Sequence, residues 1–430
     1  MSVRVPSRPA APSRTAEGRP ADSTEAGTPR RPEGGPTPAA PARFRDAFVQ
    51  DGDLPSLPSA PAAPPGPTVS ASGRSAPQVV SDAVALLRSG EFGNSAFAGG
   101  VVVANPLNVF DPADTGSTPR AAAAMAQVKA NQKLEMEALG RLPRARHPEY
   151  LAVRKALEGT GDAVALLSLQ KLLLGGELPG EKAYEGAGDV LSGLAGLGQQ
   201  KLAAGVDRAA LLTDAVQELA WPPAVAQGNK NTCAPTVVQV HLLSERPAEY
   251  LRLLSAMASP EGKVRLHGGT VMVREPGTGA PDGMGRSTPQ RLLSPALMEV
   301  ADGADDYDDA QDVHLSEGVA TWGGLSPQQV DALLEALHGG DFAFADMVYG
   351  NDSREAAWAL LEEEIQSGGT MLAGIRWGGG GHKVLVTGLE SEGGADWVRI
   401  INPWGQEERL PKAAFVESLR NINYRPAPSP

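Results

Sequence analysis

Gln227-Gly228-Asn229-Lys230-Asn231-Thr232-Cys233-Ala234-Pro235 holds the single cysteine of the chain and runs straight into the apolar series Val237, Val238, Val240 and Leu242. Pro235 suits the first turn of a helix, where its missing N–H would have had no partner in any case. Cys233 is therefore placed at a helix amino terminus. The partial positive charge there favours thiolate over thiol, which predicts a sulfur that titrates below an ordinary thiol and reacts as a nucleophile near neutral pH. One cysteine excludes an intramolecular disulfide framework and any multi-cysteine metal site.

A thiolate that attacks a carbonyl needs a base, an orienter for that base and donors for the developing oxyanion. His382 follows the glycines at 378–381 and opens the strand-like run 382–389, so a glycine turn sets an imidazole at a sheet edge. Twenty residues on (402 − 382), the next strand-like run ends in Asn402-Pro403-Trp404-Gly405. Two neighbouring antiparallel strands would bring His382 beside Asn402, whose carbonyl can accept from one ring nitrogen and leave the other for the sulfur. Gln227, six residues before Cys233 (233 − 227), can turn its amide N–H toward the oxyanion beside the Cys233 backbone N–H. His241 cannot serve as the base: eight residues along one helix put it about 12 Å away.

Gln-Gly with Cys at the sixth position, then Gly-His opening a strand, then Asn-Pro-Trp-Gly ending a later one, resembles the papain-like superfamily of cysteine peptidases. Gly381-His382-Lys383-Val384-Leu385-Val386-Thr387-Gly388 and Val398-Arg399-Ile400-Ile401-Asn402-Pro403-Trp404-Gly405 are most similar to the calpains. The resemblance spans about residues 220 to 420. It implies Cys233 as nucleophile, His382 as base and acid, Asn402 as orienter, Gln227 as oxyanion donor, and Trp404 as the ring that shields the Asn-to-His hydrogen bond. Ala234 stands where the family usually has Trp, and Asn231-Thr232 where calpains have Gly-Asp. The 28 residues after Asn402 (430 − 402) leave no room for the calcium-responsive modules of calpains, so no cofactor or metal is expected.

Outward from these motifs, the expected fold class is α+β: a papain-like domain over 221–430, with a helical lobe carrying Cys233 and an antiparallel β lobe carrying His382 and Asn402. Periodicity predicts helices over 120–142, 147–174, 183–202 and 207–220. Together with a short helix at 81–90 and a strand or loop at 101–103, they make 81–220 a mainly helical region, read as a pro-region or regulatory domain. Further helices are expected at 232–243, 247–258, 289–300, 326–338 and 353–367, the last two with Ser326 and Ser353 as N-caps. A hairpin is expected at 264–273, loop over most of 274–325, and strands at 370–377, 382–389 and 397–402. Asp302, Asp305, Asp306, Asp308, Asp309 and Asp312 lack the glycine and terminal glutamate of an EF-hand and are expected to form a solvated loop. His267, His314 and His338 are expected on the surface.

Of 37 prolines, 16 fall in residues 1–80 among Ala, Ser, Arg and Gly, a composition that cannot bury enough surface to offset chain entropy and is read as disordered. The net charge of −13 disfavours a nucleic-acid partner. No run approaches the roughly 20 apolar residues of a membrane span, and the amino terminus lacks the apolar core of a secretory signal. The chain is expected to be cytoplasmic, or secreted by a route independent of a signal peptide, the tail being either a signal for specialised secretion machinery or simply a solvated extension. The expected activity is thiol-dependent cleavage of a peptide bond in a protein or peptide substrate. Amide transfer of the transglutaminase or deamidase type, a non-catalytic papain-fold binding protein, and a precursor whose 81–220 segment covers the cleft all stay open.

Overall fold

The computed structural model describes residues 93–94, 101–103 and 119–426, apart from 187, 304, 317–318, 322, 351 and 378–379, all within one unit, Phe44–Pro430. The tail expected over 1–80 and the helix expected over 81–90 lie outside the described residues. Among these, twelve α-helices and three antiparallel sheets make a mixed α+β structure.

The first six helices are α1 Pro119–Ala130, α2 Gln132–Arg141, α3 His147–Thr160, α4 Ala163–Leu174, α5 Val190–Gln199 and α6 Arg208–Ala220. Local chemistry divides the longer expected runs. Gly161, at φ 74°, ends α3, and the Asp162 carboxylate then caps α4 through the N–H groups of Val164 and Ala165. Asp189 and Ser192 form a reciprocal capping box, so α5 starts seven residues later than the periodicity predicts.

Next come α7 Cys233–Glu245, α8 Pro247–Ala258, the hairpin β3 Lys263–Arg265 and β4 Val271–Val273, and α9 Thr288–Asp302. One continuous core, including Leu169, Leu191, Leu212, Val238, Leu254, Leu297 and Leu333, runs through helices on both sides of residue 220. The boundary expected there coincides with no gap in packing.

The segment expected to be mostly loop carries a small sheet of β5 Asp306–Asp308, β6 Val313–Ser316 and β7 Val319–Thr321. Strands of three or four residues give too short an alternation to be read. After α10 Pro327–His338, capped by a Ser326–Gln329 capping box, come β8 Ala343–Asp346, α11 Arg354–Gln366, β9 Met371–Trp377, β10 Gly380–Glu392, β11 Ala395–Asn402, β12 Gln406–Pro411, α12 Lys412–Ser418 and β13 Leu419–Tyr424.

The principal sheet has the order β1-β2-β12-β11-β10-β9-β13-β8, with β1 Gly93–Asn94 and β2 Val101–Val103. Residues 101–103 are thus strand, paired with Glu407–Arg409. Both faces of the sheet are covered. Leu372, Leu385 and Ile401 join the helical core, while Ala373, Ile375, Val384, Val386, Val398 and Ile400 pack beneath Leu361 of α11 and Phe415 of α12. This sheet presses the start of β10 against α7.

Candidate active site

Cys233 is the first residue of α7 and is partly exposed, while Thr232, Ala234 and Pro235 around it are buried. The backbone N–H groups of Lys383, Ala234 and Cys233 itself face its sulfur. Lys383 follows His382 in β10, so the sulfur rests against the strand that carries the imidazole.

His382 and Asn402 lie on the adjacent antiparallel strands β10 and β11. Their side chains meet: His382 Nε2 and Asn402 Oδ1 are 3.0 Å apart and both residues are buried. Trp404 lies over the ring at 4.9 Å between centroids, and Trp377 lies at 5.4 Å, the two indoles meeting edge to face. They wall the His382–Asn402 bond with apolar surface. Among the described residues no hydrogen bond joins the Cys233 sulfur to the His382 ring.

Gln227 links the other two segments. Its backbone N–H donates to Pro403 O at 2.7 Å and its Nε2 donates to Lys230 O at 2.5 Å, while Ala226 bridges to Trp404. One of its two amide protons is thereby engaged by the loop before Cys233. Gln227 itself is fully buried. Gly228 is obligatory here: its φ is 61°, and a Cβ would lie 2.2 Å from Met284 O.

The acidic run is not a solvated loop; it clamps the cysteine loop. Asp312 accepts from the Asn231 backbone N–H at 2.9 Å, from Asn231 Nδ2 at 2.9 Å and from the Tyr307 hydroxyl at 2.6 Å. It does so with a φ of 59°, the one positive value at a non-glycine position among the described residues. Asp309 takes both terminal nitrogens of Arg286 and its backbone oxygen accepts from Lys230 Nζ. Asp302 pairs with His314 and accepts from Gln329 Nε2. His314 is therefore half-buried and bonded, and His338 is buried against Tyr184, His241 and Phe342, so neither is a surface histidine; His267 is exposed. Among the described residues no group of three His, Cys, Asp or Glu side chains is arranged to hold a metal ion.

The charge state of the site departs from the expectation of a lowered thiol pKa. Burial pushes the Cys233 thiol up, against the Lys383 N–H and charge and the N–H groups of the helix start. Burial likewise brings His382 down to about 4, its bond to Asn402 opposing. Both shifts favour a neutral thiol beside a neutral imidazole. The helix terminus acts as foreseen, but desolvation outweighs it. Lys383, also buried, is brought down to about 7 while its ammonium donates to Asn421 Oδ1 at 2.6 Å and Asn423 Oδ1 at 2.7 Å. Alkylation of Cys233 by iodoacetamide should accordingly rise only above the ordinary thiol value of 9.0. A plateau of rapid alkylation on the acid side of neutrality would show a resident thiolate instead.

Sequence reasoning missed Trp377, Lys383, Asp312 and Glu408, the last of which accepts from Asn402 Nδ2 at 2.7 Å. Only Trp377, next to the glycine turn before His382, carried a local signal. No helix among the described residues is long and apolar enough to cross a membrane. In comparisons with known proteins, no family model matches the chain and no curated protein matches it.

Proposed function

We propose that the chain is a papain-like cysteine peptidase that cleaves a peptide bond in a protein or peptide substrate through an acyl-enzyme on Cys233. The observation that carries this reading is the His382–Asn402 hydrogen bond of 3.0 Å on the strand whose next N–H faces the Cys233 sulfur. A helical layer bearing the thiol, packed on an antiparallel sheet bearing the imidazole and amide, supports the two-lobe plan.

With Nε2 donating to Asn402, Nδ1 of His382 is the free base. It takes the thiol proton as sulfur attacks the substrate carbonyl, a general-base step suited to a neutral resting pair. Such hydrogen bonds often tighten only in the substrate complex. The oxyanion is met by the Cys233 backbone N–H and the second Gln227 amide proton. The intermediate collapses, breaking the C–N bond, and the amine leaves with the proton from His382. Water, deprotonated by the same ring, then releases the acid and restores the thiol.

A thiol-reactive epoxide peptide probe tests this. The expected result is an adduct on Cys233 in the folded protein, none in His382→Ala, and fragments released from a mixed protein substrate. A folded protein whose Cys233 stays unlabelled and which releases no fragments overturns it; incorporation of a free amine in place of hydrolysis would mean amide transfer. Hydrolysis is also expected to be insensitive to chelator and to millimolar calcium, because Asp302, Asp309 and Asp312 are already engaged by His314, Arg286 and Asn231. A large reversible gain with calcium, lost when Asp305, Asp306 and Asp308 become Asn, would show a calcium-gated mechanism.

A further inference from the structure

We propose that Glu408 is a positioning residue that selects the His382 tautomer through Asn402, an inference that rests on reading Cys233 and His382 as nucleophile and base. Glu408 lies in β12 opposite Ile400 and is fully buried. Its Oε1 accepts from Asn402 Nδ2 at 2.7 Å, and Asn402 Oδ1 in turn meets His382 Nε2 at 3.0 Å. Val398, Ile400 and Leu410 on the same region of sheet are buried and apolar, so packing alone calls for an apolar side chain at 408. A buried carboxyl group is costly unless its bonds are made.

Its use follows from the amide it holds. The two ends of an asparagine amide are nearly equal in size, so the shape of the pocket does not decide which end faces the ring. The Oε1 that Glu408 turns to Asn402 only accepts, whether the group is ionised or carries a proton on its other oxygen. It therefore draws Nδ2 to itself and turns Oδ1 toward the imidazole, which must then carry its proton on Nε2 and leave Nδ1 as the base. With the amide reversed, Nδ2 would donate to Nε2, the ring proton would move to Nδ1, and that nitrogen could not accept the thiol proton. Glutamine at 408 could donate or accept, and would no longer choose between the two.

Imidazole nitrogen NMR of the full chain with isotope-labelled histidine tests this, the His382 signals being assigned by their loss in His382→Ala. The expected result is Nε2–H in the native protein, both tautomers in Glu408→Gln, and a single tautomer again in Glu408→Asp. In Glu408→Gln kcat should fall by about 10- to 100-fold with KM little changed, and in an Asn402→Ala background the substitution should cost nothing further. A native ring protonated on Nδ1 overturns the proposal whether or not the variants fold. So does a Glu408→Gln protein with a lower Tm but an unchanged tautomer and kcat, which would make the residue merely structural. The NMR readout needs no substrate: if the tautomer follows residue 408 while the native protein cleaves nothing, the peptidase reading fails and this one stands.

Discussion

His382→Ala is expected to abolish Cys233-dependent hydrolysis, a loss on the order of 10⁶-fold in kcat if the pair acts as one unit. The reason lies in the thiol: burial pushes it above its ordinary value, so attack on a carbonyl needs a base to take its proton. Asn402→Ala should leave a remnant of about one hundredth, because Asn402 reaches the chemistry only through the ring that it orients at 3.0 Å. Gln227→Ala should cost about 10²- to 10³-fold as a lost oxyanion donor. Since its amide also holds Lys230 O, the effect must appear in kcat at an unchanged Tm to be assigned to the oxyanion. The decisive measurement is kcat in variants shown by circular dichroism to be folded. His382→Ala turning over at the native rate would remove the imidazole from the mechanism, and full activity in Gln227→Ala would remove the amide.

The parts of this site that the sequence discloses are those whose chemistry is local. Cys233 before an apolar helical run, His382 after a glycine turn and Asn402 at a strand end each carry their signal within about ten residues. The single hairpin of β10 and β11 suffices to bring the last two together. The parts it conceals depend on partners distant in sequence. Asp312 acquires its meaning from Asn231, 81 residues away, and without that partner an acidic run reads as solvated. β12 is not among the strands expected from sequence: in Gln406-Glu407-Glu408-Arg409, Glu408 is buried on Asn402 and Arg409 pairs with Glu390 and Glu392, so the apolar alternation that marks a strand is missing. The thiol pKa departs from expectation for the same reason: a helix terminus is visible in sequence, whereas burial, which outweighs it, comes from packing that includes β10 against α7.

Glu218 should contribute stability that is lost as pH rises from about 4.5 to about 8, so the margin of the native protein over Glu218→Gln should shrink across that range. Glu218, in α6, is wholly buried where the helices before and after residue 220 join, accepting from the Tyr250 hydroxyl and from Ser287 Oγ at 2.6 Å. Burial brings its carboxyl from 4.5 up to about 8, the two hydroxyls opposing and Asp214 adding to the rise. A carboxyl whose folded pKa is raised binds its proton more tightly in the native state. Its contribution is complete below the unfolded value of 4.5 and is lost as pH passes through about 8. At about 1.4 kcal/mol per unit the window is worth on the order of 3 to 5 kcal/mol. Glutamine preserves the shape and stays neutral, and one hydroxyl need only turn to accept from its amide, as it must for the protonated acid. Chemical denaturation of both proteins at about pH 5 and about pH 8.5 checks this: the stability of the native protein minus that of Glu218→Gln should fall between the two pH values, while the histidines, Glu275 and Lys383, which titrate in both proteins, cancel in the difference. Equal slopes in both proteins would mean that Glu218 is ionised in its buried site, with the two hydroxyls alone sustaining the charge.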